Sequence, residues 1–164
     1  MVVPLLSMTA FATEPTAVGS FISLKDNICD GAILKLVDDI DETDALMIPS
    51  GCSVTIDLNG HVINRGLTTY GSSDVNIQHD NHGSDFEVSG ELTLINTDPD
   101  AVHYFIRDVG GLWVMADSGT PLKGGVITVG TANGGVLVIG NGSFTMNGGT
   151  ICGNVAANSG GVCN

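Results

Sequence analysis

The chain has 164 residues and a mass of 16.8 kDa, which gives room for one domain with its own core and too little for two ordinary ones. Aromatics are 5% and charged residues 14%, against about a quarter charged in an average soluble chain, and a mean hydropathy of +0.30 excludes intrinsic disorder. Asp and Glu outnumber Lys and Arg by 18 to 5, and the net charge of −13 argues against nucleic acid or an anionic membrane surface as a partner.

Residues 2–12, VVPLLSMTAFA, form a short apolar run ending in Ala10-Phe11-Ala12, the small-x-small pattern of a signal-peptidase site. We read residues 1–12 as a signal-peptide remnant that lacks its basic start, and residues 13–164 as one secreted or cell-surface domain. The run falls short of the roughly 18 apolar residues of a membrane span, and no later segment reaches that length, so no membrane insertion is expected. Export would place Cys29, Cys52, Cys152 and Cys163 in an oxidising environment. Their pairing stays open, as do free thiols, and the lack of a C-x2-C pair argues against zinc held by cysteines.

Residues 16–29 suit a short amphipathic helix with Val18, Phe21, Ile22 and Ile28 on one face, weakened by Gly19. AILKLVDDI (32–40) reads as a first strand. SVTIDLNGHVI (53–63) matches GSFTMNGGTI (142–151) at the Asn-Gly step, with Ile63 against Ile151. FEVSGELTLIN (86–96) alternates Phe86 and Val88, then Leu92 and Leu94. Between these strands the insertion 66–85 breaks the pattern.

Gly-Gly pairs stand at 110–111, 124–125, 134–135, 148–149 and 160–161, with a spacing of 24 from 110 to 134 and from 124 to 148. The unit 110–133 overlays 134–159, and a third unit opens at Gly160. Each unit holds two short β-type runs: 112–115 and 126–129 in the first, 136–139 and 144–146 in the second. Runs this short bury a core only by stacking on neighbouring units. Glycine and asparagine suit the left-handed corners of such a stack.

AILKLVDDIDETDALMIPSGCSVTIDLNGHVI (32–63) and the module GGTICGN–GGVCN (148–164) resemble the secreted right-handed parallel β-helix repeat proteins of bacteria, the pectin-lyase-like superfamily. The resemblance covers about residues 16–164 and implies an all-β, right-handed parallel β-helix with a short N-terminal capping helix. Its motifs mark architecture rather than chemistry. The acidic residues all lie between Glu14 and Asp117, and the neutral, regular remainder ends in an incomplete unit. We therefore expect an N-terminal fragment whose open β-helix end favours self-association.

Asp117-Ser118-Gly119-Thr120 has the form of an aspartic-protease signature, but the overlay sets Asp117 on Asn141, so a repeat turn is expected instead. The 66–85 insertion crowds oxygen donors into one loop, and we assign Asp74, Asn76, Asp80 and Asp85 as candidate calcium ligands. The spacing is not that of an EF-hand. A zinc site from His79 and His82 with Asp80 or Asp85, and a plain solvated loop, are the competing readings. His61 reads as structural. His103, Tyr104, Phe105 and Arg107 could form a sugar platform, with ordinary packing as the alternative.

No catalytic residue and no cofactor other than this calcium is assigned. Arg65 and Arg107 are the only arginines for a lyase base, and Asp38-Asp39 would point to opposite faces of a strand. The reading is a non-catalytic, adhesin-like surface module that contacts polysaccharide or host glycan. The alternative is the N-terminal part of a polysaccharide lyase or glycoside hydrolase.

Overall fold

The computed structural model describes residues 14–66, 83–109, 113–130, 134–154, 156 and 160–163. Residues 1–12, read above as a signal-peptide remnant, lie outside them. The regular structure of the described part is mostly short strands, with one short helix. Strand β1 (Thr16–Val18) leads into a six-residue helix, α1 (Phe21–Asp26). There follow β2 (Ile33–Leu36), β3 (Ile40–Asp41), β4 (Leu46–Ile48), β5 (Ser53–Asp57), β6 (Val62–Asn64), β7 (Phe86–Val88) and β8 (Glu91–Ile95). Next come β9 (Val102–Arg107), β10 (Trp113–Ala116) and β11 (Thr120–Lys123). The last are β12 (Val126–Thr128), β13 (Val136–Val138), β14 (Ser143–Met146), β15 (Thr150–Cys152) and β16 (Val162–Cys163).

Three sheets are parallel throughout. The first has the order β1-β2-β5-β8-β14, the second β15-β12-β6-β3 and the third β16-β13-β7-β4. After β1, which edges the first sheet, the chain runs through that sheet with β2, passes to the second with β3 and to the third with β4. It repeats that order with β5-β6-β7, β8-β12-β13 and β14-β15-β16. Equivalent side chains therefore stack in columns. In the second sheet Ile40 pairs with Ile63, Ile63 with Ile127, and Ile127 with Ile151. In the first sheet Leu34 pairs with Ile56, and Ile56 with Leu94. In the third, Leu46 pairs with Phe86, and Phe86 with Val136.

These columns meet in one core, and the alternation that the sequence carries sets which side chains enter it. Leu92 and Leu94 of β8 are buried, while Glu91 is exposed and Thr93 and Ile95 are partly so. The Gly-Gly pairs at 124–125 and 148–149 mark places where backbone must close against a side chain. A Cβ on Gly125 would lie 2.3 Å from Leu58 Cβ, and one on Gly149 would lie 2.5 Å from Leu58 Cδ1. Leu58 is fully buried at this corner between the first and second sheets, so two successive passes of the chain need glycine there.

β9, β10 and β11 depart from this order. They form an antiparallel sheet, with β9 central, inserted between β8 and β12. Phe105 of β9 packs on Val62 and Val126, flanked by Trp113 and Leu122, so the insert covers the outer side of the second sheet.

Four expectations need correction. The helix is shorter than the periodicity implies: Ser20 caps it by accepting the Ser23 N–H at 3.1 Å, and Val18 belongs to β1, paired with Leu36. Leu24 is its buried residue and Ile22 is 69% exposed. The segment 32–40 is two strands, because Val37–Asp39 turn the corner between sheets. The 24-residue overlay holds for 124–128 on 148–152, where Val126 pairs with Thr150, but fails for 113–116, which pair antiparallel with β9. Asp117–Gly119 accordingly form the turn between β10 and β11, not a turn of a stacked unit.

Candidate functional site: a buried polar corner

Two corners of the described chain handle buried charge in opposite ways. At the corner where the chain leaves the first sheet, Asp57 is 3% exposed and fully engaged. Its Oδ1 accepts the N–H groups of Asn59 and Thr97, both at 2.9 Å, and its Oδ2 accepts the Thr97 hydroxyl at 2.6 Å, with Lys35 Nζ at 3.7 Å. Nearby, Asn96 Oδ1 accepts the N–H groups of Gly60 and Gly125, tying successive passes together. This is how a buried carboxylate is normally accommodated.

The corner where the chain leaves the second sheet for the third is different. Glu42 follows β3, Ser84 and Asp85 precede β7, Thr128 ends β12, and Asn154 follows β15. Glu42 is 5% exposed, and Ser84, Asp85 and Thr128 are fully buried. No hydrogen-bond partner reaches either carboxylate oxygen of Glu42 or of Asp85, the Ser84 Oγ, the Thr128 Oγ1 or the Asn154 Nδ2. Backbone bonds bring these residues together: Glu42 N–H donates to Asn64 O at 2.8 Å, Leu46 N–H to Asp85 O at 2.9 Å and Arg65 N–H to Thr128 O at 3.0 Å. Asn154 Oδ1 accepts the Gly130 N–H at 2.6 Å. Two glycines line the cluster: a Cβ on Gly130 would lie 2.6 Å from Asp85 Oδ2, and one on Gly153 would lie 2.6 Å from Thr128 Oγ1 and 2.9 Å from Trp113 Cβ.

The electrostatics follow from this burial. Removal from water pushes the Glu42 carboxyl well above its ordinary range, Asp85 pushes it further, and Arg65 opposes both. Asp85 is raised in the same way by burial, again against Arg65. The Cys152 thiol is raised by burial, with the Thr128 hydroxyl opposing. Arg65 also reaches the Glu42 carbonyl through Nη1, at 3.5 Å.

Of the sequence-assigned calcium ligands, Asp85 stands in this cluster, while Asp74, Asn76 and Asp80 lie outside the described residues, as do His79 and His82. Sequence reasoning missed Glu42, Ser84 and Thr128. They come from three passes of the chain, and no local motif links them. Among the described residues, no three His, Cys, Asp or Glu side chains converge in the manner of a metal centre. His61 Nδ1 lies 3.3 Å from Asp39 Oδ1, beside the Val62 N–H that Asp39 accepts, in keeping with a structural role.

The tetrad His103, Tyr104, Phe105 and Arg107 does not form one platform. Phe105 is buried, His103 bonds to the Gly60 carbonyl, and Arg107 lies over the Trp113 ring at 5.2 Å, whereas Tyr104 alternates onto the opposite, exposed face with Val102 and Ile106. All four cysteines are free thiols, Cys29 exposed and the others partly buried.

A separate surface groove of about 340 Å³ follows the corner between the third and first sheets. Asp30, Ser50, Ser53, Ser89, Glu91 and Asn141 contribute its polar lining. Among the described residues, no helix is long and apolar enough to cross a membrane. No protein-family model, curated protein or solved structure matches the chain.

Proposed function

We propose that the chain is a right-handed parallel β-helix of the pectin-lyase-like kind, acting outside the cell as a non-catalytic surface module that contacts glycans. The fixed order in which the chain passes through three parallel sheets supports the β-helix reading. The observation that carries the binding role is the groove between the third and first sheets. Its hydroxyls, carboxylates and amide come from successive passes, and that donor and acceptor set suits sugar hydroxyl groups. A rigid stack repeats such contacts along its length, so weak single contacts add through multivalency.

The test is retention of the purified chain on immobilised mucin and glycan surfaces. Ser50→Trp should obstruct the groove and Glu91→Ala should remove an acceptor; both residues are exposed, so the core is untouched. The expected result is retention by the parent chain and loss in both variants. Absence of retention on every surface refutes the proposal.

One observation favours a second reading. Asp30 and Glu91 are two carboxylates lining one groove, and a glycoside hydrolase works with a pair of carboxylates. Reducing ends released from a polysaccharide by the parent chain and not by Glu91→Gln would establish that reading in place of the first.

A further inference from the structure

We infer that the corner between the second and third sheets is a site for a hard cation of the calcium type, held by the carboxylates of Glu42 and Asp85 and the hydroxyls of Ser84 and Thr128. The four side chains present six buried oxygens without a hydrogen-bond partner, all at this corner. A group so buried is ordinarily paired with protein, with water or with an ion. The same chain pairs buried Asp57 in full, so the lack of partners at Glu42 and Asp85 is local.

The donor chemistry selects the class of ligand. All six atoms are oxygens, four of them from carboxylates, and calcium takes six to eight such oxygens. An anion is excluded by the two acids. A soft metal is disfavoured because these four side chains offer it oxygen and no sulfur. Arg65 offsets one of the two carboxylate charges and leaves the cluster net negative when both acids ionise, which draws in a cation. The glycine backbone at 130 and 153 gives the oxygens their room, since a Cβ at either position would press on Asp85 Oδ2 or Thr128 Oγ1.

The chain's single tryptophan supplies the reporter. Trp113 Cβ and Thr128 Oγ1 both crowd the same point above Gly153, so Trp113 borders the site. Terbium added to the EDTA-stripped chain should give luminescence sensitised by Trp113, displaced by calcium. Calcium or terbium should raise the melting temperature by several degrees. Asp85→Asn and Glu42→Gln keep shape and remove charge. Each should weaken terbium binding by more than about tenfold, since the number of charged ligands sets affinity. Each should also melt no lower than the parent chain without metal, so loss of the metal response is not loss of fold. The inference is overturned if neither ion shifts the melting temperature, or if the terbium signal survives in both variants, which would place the ion elsewhere.

Discussion

Replacing Gly90 by alanine tests the closeness of successive passes at the corner between the third and first sheets. Gly90 immediately precedes β8, and a Cβ there would stand 2.2 Å from the Pro49 carbonyl oxygen and 2.4 Å from that of Cys52. Both obstacles are backbone of the preceding pass, so no side-chain rotation relieves the contact. Reaching an ordinary separation of about 3.5 Å requires the two passes to part by about 1 Å. That movement stretches the Glu91 N–H bond to Cys52 O, 2.8 Å, and the Gly90 N–H bond to Ile48 O, 3.1 Å. Overpacking of about 1–3 kcal/mol, with a weakened hydrogen bond of about 1 kcal/mol, gives a loss of about 2–4 kcal/mol. For a chain of this size that lowers the melting temperature by about 5–15 °C. Gly142 is its equivalent one pass on, with Val88 O at 2.1 Å, and Gly142→Ala should behave alike. Gly161 has nothing within 4 Å of its would-be Cβ, so Gly161→Ala serves as the control and should stay within about 0.5 kcal/mol of the parent. Thermal and urea unfolding followed by circular dichroism give the comparison. A Gly90→Ala chain that melts with the parent would refute the close stacking argued here.

Three further outcomes are expected. Burial raises the Glu42 and Asp85 carboxyls in the fold, with Asp85 and Asp44 adding to the shift of Glu42 and Arg65 opposing it in both. The folded state then holds protons that the unfolded chain releases above about pH 4. Their stabilising contribution is full below that pH and is lost as pH rises through the raised folded-state values, with a slope up to about 1.4 kcal/mol per pH unit for each proton. Urea midpoints in EDTA from pH 4 to 8 should therefore fall more steeply for the parent than for Glu42→Gln, and parallel curves would count against the buried pair. Ile127→Ala opens a cavity in the middle of the Ile40–Ile63–Ile127–Ile151 column and should cost about 2–5 kcal/mol in the same assay; a loss under about 1 kcal/mol would speak against the shared core. Alkylation of the native chain, read by mass spectrometry, should modify exposed Cys29 first and Cys152 last, because burial raises that thiol and shields it; equal rates would contradict the packing of Cys152.

Much of the architecture was legible because it is written as local alternation plus a spacing. The pairing of Val126 with Thr150 follows the 24-residue Gly-Gly spacing, and Ile63 and Ile151 share a column as the Asn-Gly match implies. The same signals misled at 113–116. An apolar strand that follows Gly-Gly has the same two-residue period whether it stacks parallel or folds back antiparallel on β9. Only the long-range register separates the two. The helix was overread because Val18 is apolar for the sake of the sheet edge, not the helix face. The polar corner was half visible. Asp85 stood out among oxygen donors, but the pattern placed it with the insertion, whereas the fold sets it beside Glu42 and Thr128 from other passes. Glu42 itself sits in the acidic run Asp41-Glu42-Thr43-Asp44, where nothing separates a buried acid from solvated ones.

The antiparallel insert has a consequence for how this molecule tolerates change. Residues 37–39, 58–61 and 147–149 each carry the chain from the first sheet to the second, and residues 96–125 make the same passage with β9, β10 and β11 included. The neighbouring strands keep their register across it: Ile56 still pairs with Leu94 before the excursion, and Ile63 with Ile127 after it. Lengthening at this corner is thus decoupled from layering. Foreign epitopes grafted between Asn147 and Gly148, ahead of the Gly149 that closes on Leu58, should project sideways and leave the spine unaltered, and the number of layers in such a chain cannot be inferred from its length.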